Sequence, residues 1–150
     1  MNCERLQAAA FKTVLGLTPP EELPGTAAAA LGDGCDSPSL RALAGLADGE
    51  IEEVNSLFEM ALAEVELSLP TAREAAMALA RDIASKVLEG VTTPYRGAKQ
   101  IWEISMRLPD EHLPQLDTFI YGASEWEERP ADRNLFAEGI VVAAHELVDT

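Results

Sequence analysis

The chain is expected to fold as an all-α, single-domain helical bundle of about six to eight helices spanning residues 1–150. Three observations lead there. Apolar residues recur at helical spacing through most of the sequence, no run alternates with period two for long enough to form a strand, and Ser/Thr, Pro and Gly stand where helices start and stop. With 47% apolar and 25% charged residues, the chain has ordinary globular usage despite a net charge of −15.

The elements follow in order. A first helix is expected near 3–15 and closes at Gly16. Thr18-Pro-Pro-Glu21 has the form of a capping box, and an Ala-rich helix follows near 24–31. Ser37-Pro38 sets an N-cap before a proline at the first helical position of a short helix at 38–45, with Gly45 at its end. The segment 49–66 is amphipathic: Ile51, Val54, Leu57, Phe58, Ala61, Leu62 and Val65 share one face, and Glu52, Glu53, Asn55, Ser56, Glu59 and Glu64 lie off it. Thr71-Ala-Arg-Glu74 is a second capping box, opening a helix at 71–89 that Gly90 closes. Thr93-Pro94 opens a helix at 94–107, and further helices are expected at 114–128 and, from Pro130, at 130–148.

Charge is segregated along the chain. Residues 1–70 carry 12 acids and 3 bases, residues 71–110 carry 5 and 6, and residues 111–150 carry 9 and 2. Such a surface disfavours nucleic acid and anionic membranes, and favours cations and basic proteins. No apolar stretch reaches the roughly 18 residues that a membrane span requires. The start MNCERLQ places Glu4 ahead of any apolar run, without the basic and long apolar regions of a secretory signal. The expectation is a soluble cytoplasmic protein with Cys3 and Cys35 as reduced thiols, a Cys3–Cys35 disulfide being the less favoured arrangement in that compartment.

Within the acid-rich segment from Asp48 to Glu66, Glu52, Glu59 and Glu66 are seven residues apart and form a ridge with about 10.5 Å between successive carboxylates. That spacing is too wide for one metal ion, whose oxygen ligands lie at about 2.3–2.6 Å for calcium. It suits an extended basic surface, or simply a solvated helix face. Arg73, Arg81 and Lys86 on the next helix could also neutralise part of it.

Trp126 ends a stripe with Leu116, Phe119, Ile120 and Ala123, which makes it either core or, ringed by Glu125 and Glu127, an anchor for a basic side chain. Glu125 and Arg129 form an i, i+4 pair, and Trp102 reads as core. The basic helix start from Thr93 to Trp102 could imitate a DNA-reading helix, but the surrounding acidity opposes it, and Arg96, Lys99 and Arg107 are expected to pair with neighbouring acids.

Neither His112 nor His145 has the Glu-x-x-His spacing of a di-iron bundle, and Asp33-Gly-Cys-Asp36 lacks the further ligands of a calcium loop. There is no phosphate loop and no Gly-x-Ser-x-Gly element. No catalytic residue, metal ligand or cofactor is assigned.

Gly34-Cys-Asp-Ser-Pro-Ser-Leu-Arg-Ala-Leu-Ala-Gly-Leu46, Thr93-Pro-Tyr-Arg-Gly-Ala-Lys-Gln-Ile-Trp102 and Phe119-Ile-Tyr-Gly-Ala-Ser-Glu-Trp-Glu-Glu-Arg-Pro130 together resemble a group of short, acidic, helical bacterial proteins. The resemblance implies no activity or cofactor. It does imply a shared role for Glu125, Trp126 and Glu127.

The functional expectation is a non-enzymatic acidic interaction module, of the immunity-protein or antitoxin kind, that binds a basic protein through Glu52, Glu59, Glu66, Glu125, Trp126 and Glu127. The alternative is a small metal- or ligand-binding helical protein or enzyme using carboxylates such as Glu125 and Glu128. Association of the chain with itself is a further possibility.

Overall fold

The computed structural model describes residues 1–46 and 49–150; Asp48, the first acid of the 48–66 segment, lies outside them. The described residues are all-helical, with eight α-helices and no strand. The helices are α1 (Glu4–Val14), α2 (Leu23–Gly32), α3 (Pro38–Ala44), α4 (Ile51–Glu64), α5 (Ala72–Leu88), α6 (Pro94–Ser105), α7 (Asp117–Glu128) and α8 (Arg133–Val148). Contacts divide the chain into two compact units, Met1–Ala75 and Ala76–Thr150, the division falling inside α5.

In the first unit, α3 packs against both α2 and α4, and α1 packs on α2. The core is made mostly of leucine and alanine around one large ring, Phe58, with Leu6, Leu23, Leu40, Leu43 and Leu62 fully buried. Small side chains let the helices approach closely, as the Ala27 and Ala30 positions of α2 do here.

In the second unit, α7 lies between α6 and α8 in the contact order, and α6 also touches α8. Two glycines allow close helix approach in this unit, one between α5 and α6 and one between α7 and α8. A side chain on Gly97 of α6 would collide with Val87 of α5, and a Cβ on Gly122 of α7 would lie 2.7 Å from Ile140 of α8.

The end signals act where side-chain geometry allows. The Ser37 hydroxyl accepts from the Leu40 amide at 3.2 Å, and Thr93 does the same for Arg96 at 3.2 Å. Thr71 and Glu74 form the reciprocal capping box, at 3.0 and 3.1 Å. The corresponding box at Thr18 and Glu21 does not form: Pro19 stands at the N-cap of a 3-10 turn over Pro20–Glu22, with no side-chain cap. Pro114 and Pro130 likewise open 3-10 turns, so α7 and α8 begin three residues later than the prolines suggest.

Helix ends supply a second correction. The amide of Leu67 donates to the Leu62 carbonyl at 2.8 Å and that of Glu66 to Ala63 at 3.1 Å, the paired bonds that turn the chain out of a helix. Gly16, Gly34 and Gly90 occupy the equivalent left-handed position after α1, α2 and α5, whereas after α4 it is taken by Glu66, at φ +62°. Gly45 keeps an ordinary φ of −84°. Glu66 is therefore not a third step of the α4 ridge, because α4 has already ended at Glu64.

The left-handed backbone costs a residue with a Cβ about 1 kcal/mol that glycine does not incur. Glu66→Gly is expected to raise stability by up to about 1 kcal/mol in urea unfolding. An unchanged or lowered midpoint would mean that the Glu66 side chain offsets its own backbone strain.

The thiol expectation also changes. Cys3 and Cys35 are joined by a disulfide, across a sequence separation of 32. Cys3 is the N-cap residue of α1. Gly34 turns the chain so that the Cys35 amide donates back to the Ala30 carbonyl at 3.0 Å, which folds the Cys35 side chain into the core. Sequence spacing contains no trace of that meeting.

Candidate functional site

The acidic surface of α4 is built by its apolar half. Val54, Phe58, Ala61 and Leu62 are buried, which forces Glu52, Glu53, Ser56, Glu59 and Ala63 outward. Glu52 and Glu59 lie two turns apart on this outward face. Met60, 51% exposed, stands among these carboxylates, and Ile51 is exposed at the helix start. The face thus combines negative charge with uncovered apolar surface.

Glu64, at the end of the same helix, is committed elsewhere. Its carboxylate accepts from the Ser39 amide at 2.9 Å and from the Ser39 hydroxyl at 2.6 Å, tying the end of α4 to the first turn of α3. Ser37 and Ser39 are the buried polar side chains of that turn. The Ser39 hydroxyl, and then its amide, hold the Glu64 carboxyl below its ordinary pKa because both donate to the ionised form.

A carboxyl with a lowered folded-state pKa contributes stability that is present above its unfolded value and lost as pH falls through the folded one. Acidification below the ordinary carboxylate range of about pH 4 should therefore loosen the α3–α4 pairing. Glu64→Gln should flatten the acid limb of a melting-temperature profile. If the variant and the parent chain show identical limbs, Glu64 does not couple pH to this pairing.

The second group lies in the other unit, where α6, α7 and the start of α8 place Tyr95, Lys99, Trp126, Glu127 and Arg133 together. Tyr95 stacks on Trp126 with ring centroids 4.0 Å apart and planes 14° from parallel. The Arg133 guanidinium lies 3.8 Å from the Trp126 ring centre, and its Nε donates to the Trp126 carbonyl at 3.1 Å. Two groups at that range do not fit on one face of the indole, so Trp126 is sandwiched between them.

Glu127 Oε2 accepts from the Tyr95 hydroxyl at 2.8 Å and from Lys99 Nζ at 2.9 Å. The Lys99 and Tyr95 hydrogen bonds lower the Glu127 pKa, and the same carboxylate raises those of Tyr95 and Lys99. Glu125 faces Arg129 at 3.6 Å, the i, i+4 pair expected of it, and Arg129 also reaches Asp132 at 2.8 Å. In this arrangement Trp126 and Glu127 tie α7 to α6, and Trp126 ties it to Arg133 at the start of α8, whereas Glu125 pairs with Arg129 at the end of its own helix. Lys99 also lies 4.3 Å from the Trp102 ring centre, a contact that helical spacing could indicate only in part.

The remaining candidates are engaged locally. Asp33 accepts from Arg5 at 2.8 Å and Asp36 from Arg41 at 2.7 Å, so the two acids flanking Cys35 each hold a base. Lys86 pairs with Asp82 at 3.0 Å on its own helix. His112 Nε2 lies 2.8 Å from Asp117. Among the described residues, no three His, Cys, Asp or Glu side chains converge as metal ligands, and no helix is long and apolar enough to cross a membrane.

Sequence reasoning overlooked Ser39, Tyr95 and Arg133 as partners of acids and of Trp126. Their separations of 25, 32 and 7 residues from those partners are settled by packing. Comparison with protein-family models, with curated proteins and with solved structures finds no match for this chain.

Proposed function

We propose that the protein is a non-enzymatic acidic interaction module that binds a basic protein partner through the outward face of α4, in the manner of an immunity protein or antitoxin. The supporting observation is that face itself: Glu52, Glu53 and Glu59 are exposed on the same helix as the exposed Met60, in a chain of net charge −15. Carboxylates there would steer a basic partner, and methionine adapts its shape to varied apolar contacts. Glu66 lies beyond the helix and Glu125, Trp126 and Glu127 have partners within their own unit, so Glu52 and Glu59 carry the reading.

Low-salt affinity capture from the native host's lysate should recover a stoichiometric basic protein that is released at high salt. Glu52→Lys with Glu59→Lys should abolish capture and leave the melting temperature within a few degrees. Failure to recover a partner, or recovery indifferent to salt and to both substitutions, would overturn the proposal. A cytoplasmic address was the expectation from sequence, yet the Cys3–Cys35 disulfide favours an oxidising compartment. The thiol state of both cysteines in rapidly alkylated cells decides between them.

A further inference from the structure

The geometry points to Cys3 Sγ as a site of thiol–disulfide exchange that selects incoming thiols by charge. The two sulfurs of the bridge are not equivalent. Cys35 is fully buried, at 0% exposure, whereas Cys3 is partly exposed. A cavity of about 450 Å³ between the start of α1 and the end of α4 is lined by Cys3 and not by Cys35. An incoming thiol has room to reach one end of the bridge.

The same cavity is lined by Glu4, Glu64 and Glu66, with Met1 and Leu67 as apolar wall. The attacking species is a thiolate, already anionic, and it must enter among carboxylates. A thiol that also carries a cationic group gains from that field; one that carries a second anion is repelled. This selection is independent of whether α4 docks a partner.

The chemistry balances with two equivalents of a small-molecule thiol. A thiolate attacks Cys3 Sγ, forming a mixed disulfide and breaking the Cys3–Cys35 bond; the electron pair leaves on Cys35 Sγ, which takes a proton from solvent. A second thiolate attacks the reagent's sulfur, releasing the oxidised reagent and leaving Cys3 reduced. Burial disfavours the Cys35 thiolate as a leaving group, so the first step sets the rate.

The test compares cysteamine (cationic), 2-mercaptoethanol (neutral) and 2-mercaptoethanesulfonate (anionic) on the intact protein, each rate being divided by that of the same thiolate on 2-hydroxyethyl disulfide. The expected order is cationic, neutral, anionic, with a ratio of about tenfold between the extremes at low ionic strength that shrinks towards unity at about 1 M salt. Glu4→Gln with Glu66→Gln should narrow the ratio several-fold. Quenching in denaturant with excess N-ethylmaleimide should place the reagent on Cys3 and the maleimide on Cys35. Rates independent of thiol charge, rates independent of thiol concentration, as required if the fold must first open, or a reagent adduct on Cys35 would each overturn the assignment.

Discussion

Replacing Cys3 by serine is expected to destabilise the unit formed by residues 1–75 by about 3–4 kcal/mol, the loop-closure value for a bridge spanning 32 positions. The cross-link removes conformations from the unfolded chain, joining the N-cap of α1 to the residue that follows the turn after α2. All of α1 and α2 lie inside the loop it closes. For a unit of this size the loss corresponds to a melting temperature lower by roughly 15 °C or more. Thermal and urea unfolding of the parent chain, with and without dithiothreitol, provides the control. The reduced parent should converge on the variant. A parent indifferent to dithiothreitol would show that the bridge does not constrain the folded ensemble.

Phe58→Ala should cost about 3–5 kcal/mol, the range for deleting a buried aromatic side chain. Phe58 is 2% exposed and is the one large ring in a core otherwise made of leucine, alanine and smaller side chains. Leucine and alanine neighbours held on α2, α3 and α4 cannot collapse fully into the space, so a cavity term adds to the lost burial. Phe58→Leu should recover part of the loss. Glu52→Gln and Glu59→Gln, on the opposite face of the same helix, should change stability by no more than about 0.5 kcal/mol. Urea midpoints for the four variants would separate the two faces of α4. A small effect of Phe58→Ala would require a core able to repack, contrary to the packing described.

The two expectations rest on features of unequal legibility. Phe58 could be placed in a core from its spacing with Val54, Ala61 and Leu62. The bridge was nameable as the one pairing of two cysteines but not derivable, because helical periodicity says which face of α1 is apolar and nothing about what stands opposite its first residue. Compartment statistics pointed the wrong way for the thiols, since they weigh an environment and not a geometry.

The candidate site divides similarly. The exposed position of Glu52 and Glu59 follows from the period of α4 alone. Glu66 lies two residues past the end of α4, where periodicity no longer informs: the chain has entered a turn whose left-handed residue is usually glycine, and no glycine announces it. Glu127 shows the converse. Its sequence surroundings read as free negative charge, but the approach of α6 to α7 brings Tyr95 and Lys99 onto its carboxylate.

The sequence by itself determined what depends on neighbours three or four positions away: the all-helical class, the buried face of α4, the caps at Ser37, Thr71 and Thr93, and the glycine exits at Gly16 and Gly90. Tertiary structure decided what depends on residues distant in the chain: the meeting of Cys3 with Cys35, the capture of Ser39 by Glu64 and the enclosure of Trp126 by Tyr95 and Arg133. The physical reason is that periodicity and capping are properties of one helix. Which carboxylates keep solvent, and which are drawn into hydrogen bonds, is fixed only when helices pack and set their side chains within about 3 Å of one another.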